Sequence, residues 1–186
     1  MKFFNSAIDQ SKYFIAHYTI ETNEGFFLNK AAWELAIGQS VGNPNIRNKW
    51  ETDELYEKSS CVIMHDENEL KKQSKGKIKI AFPVINNNWE EDGISQLLCM
   101  VMGGQMDIST FKSCRLNKLE FPKNVQNKFL GPKYGIDGLR KFTGQKNKPF
   151  SGAIIKPKTG FSPNTLLDMV KELVDGGVDF IKEDEI

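Results

Sequence analysis

The order of the apolar runs in the last part of the chain limits the possible folds more than any other part of the sequence. PFSGAIIK (149–156) and VDFIK (178–182) are short apolar runs of the kind that form buried strands. Between them a helix is predicted, with Ser162 as its N-cap, Pro163 as its first residue and Gly176-Gly177 as its end. A strand, a helix and a strand predict one βαβ unit of a parallel α/β fold. Since two strands cannot close a barrel, this second domain is predicted to be unfinished.

The first part of the chain has a different order of elements. Its patterns predict strand, helix, strand, strand, helix and strand, which is the split βαβ arrangement of an α+β ferredoxin-like domain. The strands are predicted at 13–20, 59–65, 77–84 and 111–122, and the helices at 26–39 and from Ile94 to Gly103. Helical pieces broken by glycine and proline follow Pro122 and are typical of a connecting region. We therefore predict two domains, one over 1–130 and one over 131–186.

The charge and cysteine content exclude several classes of protein. The 186 residues include 25 basic and 24 acidic side chains, so a net charge of +1 gives no bulk electrostatic reason to bind nucleic acid or a charged membrane. Cys61, Cys99 and Cys114 form no CxxC pair, which argues against a disulfide framework or a zinc site. No apolar run reaches the roughly 18 residues of a membrane helix, and the start lacks the apolar core of a signal peptide. We expect a soluble, cytoplasmic protein.

Five side chains suited to catalysis or metal binding lie at the predicted carboxyl ends of the two parallel strands. Lys156 and Lys158 follow the first strand, and Lys182, Asp184 and Glu185 end the second. Reactive groups cluster at this edge of parallel α/β folds, and period-2 alternation places Lys182 and Asp184 on one face. Two carboxylates suit a hard cation such as magnesium, and a lysine becomes a ligand beside it if carbon dioxide converts it to a carbamate. The alternative interpretation is an ordinary strand end with solvated charges.

Three of these residues, Lys182, Asp184 and Glu185, lie in a stretch that resembles a motif of a known family. GVDFIKEDE (177–185) resembles the active-site signature of the RuBisCO large-chain superfamily and fills every specified position of it. Three further blocks resemble the family, the last more loosely: the first barrel loop IIKPKTGFS (154–162), the interdomain segment FPKNVQNKFLGPKYGI (121–136), and the helix and loop AAWELAIGQSVGN (31–43). The resemblance covers nearly the whole chain but only the first part of the family's architecture. It implies a chain truncated after the second strand of a TIM (β/α)8 barrel.

The resemblance implies a role for each of the five side chains. Lys182 would be the carbamylated lysine, and Asp184 and Glu185 the other protein ligands of Mg2+. Lys156 would act as acid or base on the enediol of a phosphorylated ketose, and Lys158 would help to hold Lys156 in place. A metal on the ketone oxygen would acidify the neighbouring C–H group and stabilise the enolate. The family also implies a homodimer, in which the amino-terminal domain completes the partner's site.

Departures from the family pattern change the expected reaction. Carboxylating members carry an acidic residue at the position of Gly38, a threonine and a tryptophan at Asn43 and Pro44, and an asparagine near the metal at Gly104. Glycine has no side chain with which to ligate or to donate. The pattern therefore resembles the RuBisCO-like proteins (form IV type), whose members enolise or isomerise phosphorylated ketoses, some in methionine salvage. A ribulose-1,5-bisphosphate carboxylase of carbon fixation is the alternative enzyme, and a non-catalytic truncated module is the alternative of another class.

Overall fold

The chain forms two compact units, with the division between Phe129 and Leu130. The computed structural model describes residues 3–183, except for the side chain of Met106. None of the helices in these residues combines the length and the apolar character that a bilayer span requires.

The first unit is built around a four-stranded antiparallel sheet. Its strands are β1 (Tyr13–Thr22), β2 (Val62–Ile63), β3 (Lys75–Pro83) and β4 (Phe111–Glu120), and its helices are α1 (Leu28–Gly38), α2 (Asp53–Ser59), α3 (Glu67–Leu70), α4 (Gly93–Met102) and α5 (Lys123–Gln126). The strands lie in the order β2-β3-β1-β4, so β1 is central and pairs with β3 and β4. All four predicted strands are present, although β2 is much shorter than the predicted 59–65.

One face of this sheet packs against α1 and α4. Alternate residues of β1 point to that face and are buried, whereas His17, Thr19 and Glu21 lie on the opposite, open face. Tyr18 is buried, and its hydroxyl donates to the carbonyl oxygen of Val101 in α4 at 2.7 Å. The buried core around it includes Phe14, Ala16, Ile20, Leu28, Ala31, Leu35, Ile78, Ile80, Phe82 and Leu97. The alternation along β1 from Ala16 to Thr22 therefore gives the unit one apolar layer and one polar surface.

Helix α2 is absent from the sequence-based prediction. Thr52 caps it, because the Leu55 N–H donates to the Thr52 hydroxyl oxygen at 3.2 Å, and two acidic residues occupy its first turn. Tyr56 is buried, and its hydroxyl donates to the carboxylate of Glu51 at 2.8 Å. The Thr-Asp-Glu sequence was the available signal, since a helix this short shows no apolar periodicity.

The second unit contains the predicted βαβ arrangement. Its elements are α6 (Gly135–Thr143), β5 (Gly152–Ile154), α7 (Pro163–Asp175) and β6 (Phe180–Lys182), and β5 and β6 are parallel. The predicted helix start is confirmed, because the Thr165 N–H donates to the Ser162 hydroxyl oxygen at 3.1 Å and Pro163 is the first helical residue. Gly177 has φ +75°, a conformation that glycine adopts without strain, as the chain turns from α7 toward β6.

The prediction that both parallel strands are buried is wrong. Ile154 is 53% exposed and Phe180 is 55% exposed, and each strand has three residues instead of the predicted five to eight. The strands are exposed because few elements of this unit can cover them. In its described residues the sheet has two strands, and a single helix follows β5. The apolar residues of α7 are correspondingly half-buried or exposed.

Candidate functional site

The pairing of β5 with β6 brings two of the predicted site residues to one end of the sheet. Ile154 lies opposite Lys182, and the Ile155 N–H donates to the Lys182 carbonyl oxygen at 3.0 Å. Lys156 therefore follows immediately beside the end of β6. Lys156, Lys158 and Lys182 are all exposed, and Lys158 lies in the loop that leads to α7. The lysines thus occupy the carboxyl ends of parallel strands, where the sequence predicts them.

The predicted carboxylate ligands, Asp184 and Glu185, lie outside the described residues. Between residues 3 and 183, no group of three or more His, Cys, Asp and Glu is arranged to hold a metal ion. The chemistry of the predicted donor set still fits magnesium, because two carboxylates and a lysine carbamate would supply only hard oxygen atoms. Magnesium and the carbamate remain predictions.

The first half of GVDFIKEDE has a structural role that the sequence did not reveal. The Ser151 N–H donates to the Asp179 carboxylate at 2.8 Å, and the Asp179 N–H donates to the Ser151 carbonyl oxygen at 2.7 Å. These two residues directly precede β5 and β6. Their reciprocal contact therefore sets the register in which the strands begin.

A second contact reinforces this register. The ring of Phe180 lies over Gly152, its registered partner, so closely that a Cβ atom at Gly152 would overlap the ring. A larger residue at position 152 would push the two strands apart or displace the ring. The Asp-Phe pair of the motif thus aligns the strands, while the residues after Phe180 carry the predicted chemistry.

The first unit contains a separate pocket of about 340 Å3 at the carboxyl ends of α1 and α4. It is lined by Glu34, Gly38, Gln39, Asn43, Pro44, Asn45, Gly104, Asp107, Ile108 and Ser109. The pocket thus includes all four positions at which the sequence departs from carboxylating members of the family. Sequence alone did not show that these positions line a common pocket.

Gln39 closes one wall of this pocket. With its amide in the orientation that satisfies both ends, the side chain donates to the carbonyl oxygens of Cys99 at 3.1 Å and Met100 at 3.2 Å. Its amide oxygen accepts from the Gly104 N–H at 3.3 Å. A Cβ atom at Gly104 would overlap the Gln39 amide. A side chain at position 104 would therefore displace the Gln39 amide and break its hydrogen bonds to α4.

A buried carboxylate forms another part of the wall. Glu34 is 9% exposed and accepts a hydrogen bond from the Thr110 hydroxyl at 2.7 Å. Lys30 lies 3.2 Å from the other Glu34 oxygen and also donates to the side chain of Asn45 at 2.7 Å. Glu34 was not identified from the sequence. A glutamate on the apolar face of α1, four residues after a lysine, was the available signal.

Fold and site together define a class of chain, in which an antiparallel-sheet domain precedes a parallel βαβ unit with lysines at its strand ends. Comparison with known proteins identifies the family. Residues 5–125 match the N-terminal domain of the ribulose bisphosphate carboxylase large chain, and residues 135–186 match the catalytic domain of that chain. The chain belongs to the ribulose bisphosphate carboxylase large-chain family.

Individual relatives include both carboxylases and carboxylase-like proteins. The ribulose bisphosphate carboxylase of Pyrococcus furiosus is 33% identical over 172 residues, which are 92% of this chain and 39% of the relative. The octameric ribulose-1,5-bisphosphate carboxylase/oxygenase of Pyrococcus horikoshii superposes with a TM-score of 0.78 at 28% identity, covering 98% of this chain and 42% of that one. A rubisco-like protein from Burkholderia fungorum superposes with a TM-score of 0.71 at 26% identity, covering 94% of this chain and 43% of that one. The chain therefore spans about two-fifths of the length of its relatives.

Proposed function

We propose that the chain is the amino-terminal part of a RuBisCO-like enzyme, a magnesium-dependent enolase or isomerase that acts on a phosphorylated ketose of the methionine-salvage type. In this proposal the first unit is a ferredoxin-like domain and the second is the start of a TIM (β/α)8 barrel. The strand order β2-β3-β1-β4 supports the former, and the parallel βαβ unit supports the latter.

Each site residue has a proposed role. The neutral amine of Lys182 would attack carbon dioxide, forming an N–C bond and releasing a proton, and Lys182 as its carbamate, Asp184 and Glu185 would hold magnesium through hard oxygen atoms. Bound magnesium would polarise the ketone oxygen of the substrate and make the adjacent C–H group acidic. Lys156, beside the end of β6, moves that proton, and Lys158 orients Lys156. The exposure of all three lysines is consistent with access to substrate.

The packing of Gln39 against Gly104 is the observation that favours an enolase or isomerase over a carboxylase. Carboxylating members are expected to place an asparagine side chain at this position. Here the Gln39 amide occupies the space next to Gly104 and is held there by hydrogen bonds to α4 and to Gly104 itself. An asparagine therefore cannot be accommodated without displacing Gln39. The second candidate, a ribulose bisphosphate carboxylase, is favoured by the relatives from Pyrococcus furiosus and Pyrococcus horikoshii, which carry that name.

Two isotope measurements separate these candidates. The product of the complete reading frame that encodes the chain would be incubated with magnesium, bicarbonate and a set of phosphorylated ketoses that includes ribulose 1,5-bisphosphate. We expect a carbon-bound proton of one ketose to exchange with deuterated solvent and no labelled bicarbonate to enter the products. Lys182→Ala should abolish the exchange, whereas Lys171→Ala, at an exposed position of α7, should preserve it. Incorporation of label that depends on Lys182 would establish the carboxylase instead.

The proposal extends to assembly and to the chain by itself. A homodimer is proposed for the complete protein, and the octameric relative from Pyrococcus horikoshii supports self-assembly of the chain. The 186-residue chain alone is expected to show neither carboxylase nor enolase turnover, because it spans only about two-fifths of the length of its relatives. Turnover by the purified 186-residue chain that disappears in Lys182→Ala would contradict that expectation.

A further inference from the structure

The open face of the four-stranded sheet carries a concentrated positive charge. Six exposed basic side chains and only two carboxylates lie on this face or at its margin. The net charge of the whole chain, by contrast, is only +1. We call this surface the basic face. It consists of Lys75, Lys77 and Lys79 of β3, Lys112, Ser113, Arg115, Asn117, Lys118 and Glu120 of β4, and His17, Thr19 and Glu21 of β1.

The strand register fixes the arrangement of these charges. Thr19 of the central strand lies between Lys77 of β3 and Arg115 of β4, and His17 likewise lies between a lysine of each neighbouring strand. Registered partners in an antiparallel sheet point to the same face, so two rows of cations flank a central row. The cations repeat about every 7 Å along β3, and the two rows are about 10 Å apart.

Half of the cations are paired with a carboxylate within the face. Lys75 donates to the Glu21 carboxylate at 2.8 Å, Lys112 contacts the other Glu21 oxygen, and Lys118 lies 2.7 Å from Glu120. The remaining three form no ion pair with any residue between 3 and 183, although Lys79 lies near enough to Glu120 to lower the pKa of that carboxyl. These three are Lys77, Lys79 and Arg115. They lie on both sides of the central strand.

We propose that the basic face binds an acidic protein segment in an extended conformation, which runs along β1 between the two rows of cations. An extended segment with acidic residues at alternate positions repeats its carboxylates about every 7 Å, the same period as the cations of β3. Arg115 can take one of these carboxylates through two parallel hydrogen bonds. Thr19 and His17, in the central row, form a polar surface between the two rows of cations. The backbone of the bound segment lies on this surface.

The composition of the face favours carboxylates over nucleic acid. Single-stranded nucleic acid is bound on sheets by aromatic rings that stack on the bases. In the described strands, no Phe, Tyr or Trp occurs at the outward positions of β1 from Ile15 to Glu21. None occurs at the positions paired with them on β3 and β4. Charged side chains of either sign discourage an exposed sheet from aggregating. Solubility alone therefore does not explain why cations outnumber carboxylates on the basic face.

The test uses the 186-residue chain and a labelled synthetic peptide of about twelve residues that alternates glutamate with serine. We expect saturable binding by fluorescence anisotropy that weakens when salt rises from about 50 mM to about 500 mM. A peptide with glutamine in place of glutamate should not bind. Lys77→Glu/Arg115→Glu should weaken binding at least tenfold, and Lys77→Gln/Arg115→Gln should give an intermediate loss.

A matched control separates this surface from general electrostatics. Lys146→Glu/Lys148→Glu makes the same change in net charge at exposed positions of the second unit and should leave binding within twofold of the unchanged chain. Circular dichroism would establish that each variant is folded. Equal losses in the two reversal variants, or no binding of the glutamate peptide, would overturn the proposal. Tighter binding of an oligothymidylate through the same residues would also overturn it, in favour of a nucleic-acid surface.

Discussion

The Asp179 carboxylate accepts a hydrogen bond from the Ser151 N–H at 2.8 Å, and the Asp179 N–H donates to the Ser151 carbonyl oxygen at 2.7 Å. This reciprocal contact joins the residue before β5 to the residue before β6. It lies at the ends of the strands opposite to Lys156 and Lys182. The relative position of the two lysines is therefore set by a contact at the other end of the strands.

Removing this contact should loosen the start of the parallel pair. Asp179→Ala leaves the Ser151 N–H without its acceptor, at a cost of up to about 1 kcal/mol for this exposed hydrogen bond. We expect the Ser151 amide to exchange with solvent about fivefold faster, measured by NMR. Asp179→Asn keeps an acceptor oxygen and should preserve most of the protection. Unchanged exchange in Asp179→Ala would show that Ser151 is held by other means.

Gly104 and Gln39 should be coupled in stability. Gly104→Ala places a methyl group where the Gln39 amide lies and should lower the free energy of unfolding by about 1 to 3 kcal/mol. In Gln39→Ala/Gly104→Ala the overlap is absent, so the double variant should be more stable than the sum of the single effects predicts. A denaturant series on the four proteins measures this. Additive effects would mean that the two side chains do not compete for space.

Gly38→Ala is the matched control for that cycle. Gly38 ends α1, and a Cβ atom there would meet nothing within 4 Å. Because alanine favours the helix over glycine, we expect an unchanged or increased stability, by up to about 1 kcal/mol. The same denaturant series checks it, and a loss as large as that at Gly104 would contradict the packing described here.

The basic face should give stability a measurable dependence on pH. Hydrogen bonds from Lys112 and Lys75 lower the pKa of Glu21 from 4.5 to about 2. A carboxyl with a depressed pKa in the folded state stabilises the fold above its unfolded pKa, and this contribution is lost as the pH falls through the folded value. The difference in melting temperature between the unchanged chain and Glu21→Gln should therefore be full above about pH 5 and shrink toward pH 2. Glu24→Gln, at an exposed position just after β1, should show a smaller difference.

The three thiols should react with an alkylating agent at different rates. Burial raises the pKa of Cys61 well above its ordinary value and that of Cys114 to about 12, while Cys99 is exposed on α4. Since the thiolate is the nucleophile, Cys99 should be labelled first in the folded chain. Mass spectrometry of peptides identifies the site. Cys99→Ser should remove the fast phase, and rapid labelling of Cys61 would mean that the core opens readily.

Much of the fold was predictable because it depends on local patterns. The strand at 13–20, the N-cap at Ser162 and the terminating glycines each depend on patterns within a few residues, and the structure agrees with them. The parallel pairing of β5 and β6 followed from the helix between them. The burial of these strands was not predictable in the same way, because an apolar run such as Ile154-Ile155 indicates what a strand prefers to contact and not which layers surround it.

The candidate site was only half predictable for a similar reason. Lys156 and Lys182 were found because strand ends are visible in sequence. Gln39 and Glu34 were missed because their significance depends on contacts with α4 and with Thr110, which lie 60 or more residues away along the chain. Contacts of this kind leave no periodic signal.

The two halves of GVDFIKEDE have different roles, and this difference affects how a match to the motif is interpreted. Gly177, Asp179 and Phe180 shape the backbone and align the strands. Because their role is structural, they would be retained in a homologue that had lost the enzymatic reaction. A sequence that keeps only this half would fold like its ancestors while lacking their chemistry. Catalytic competence in distant relatives is therefore better judged from the second half of the motif than from the overall strength of the match.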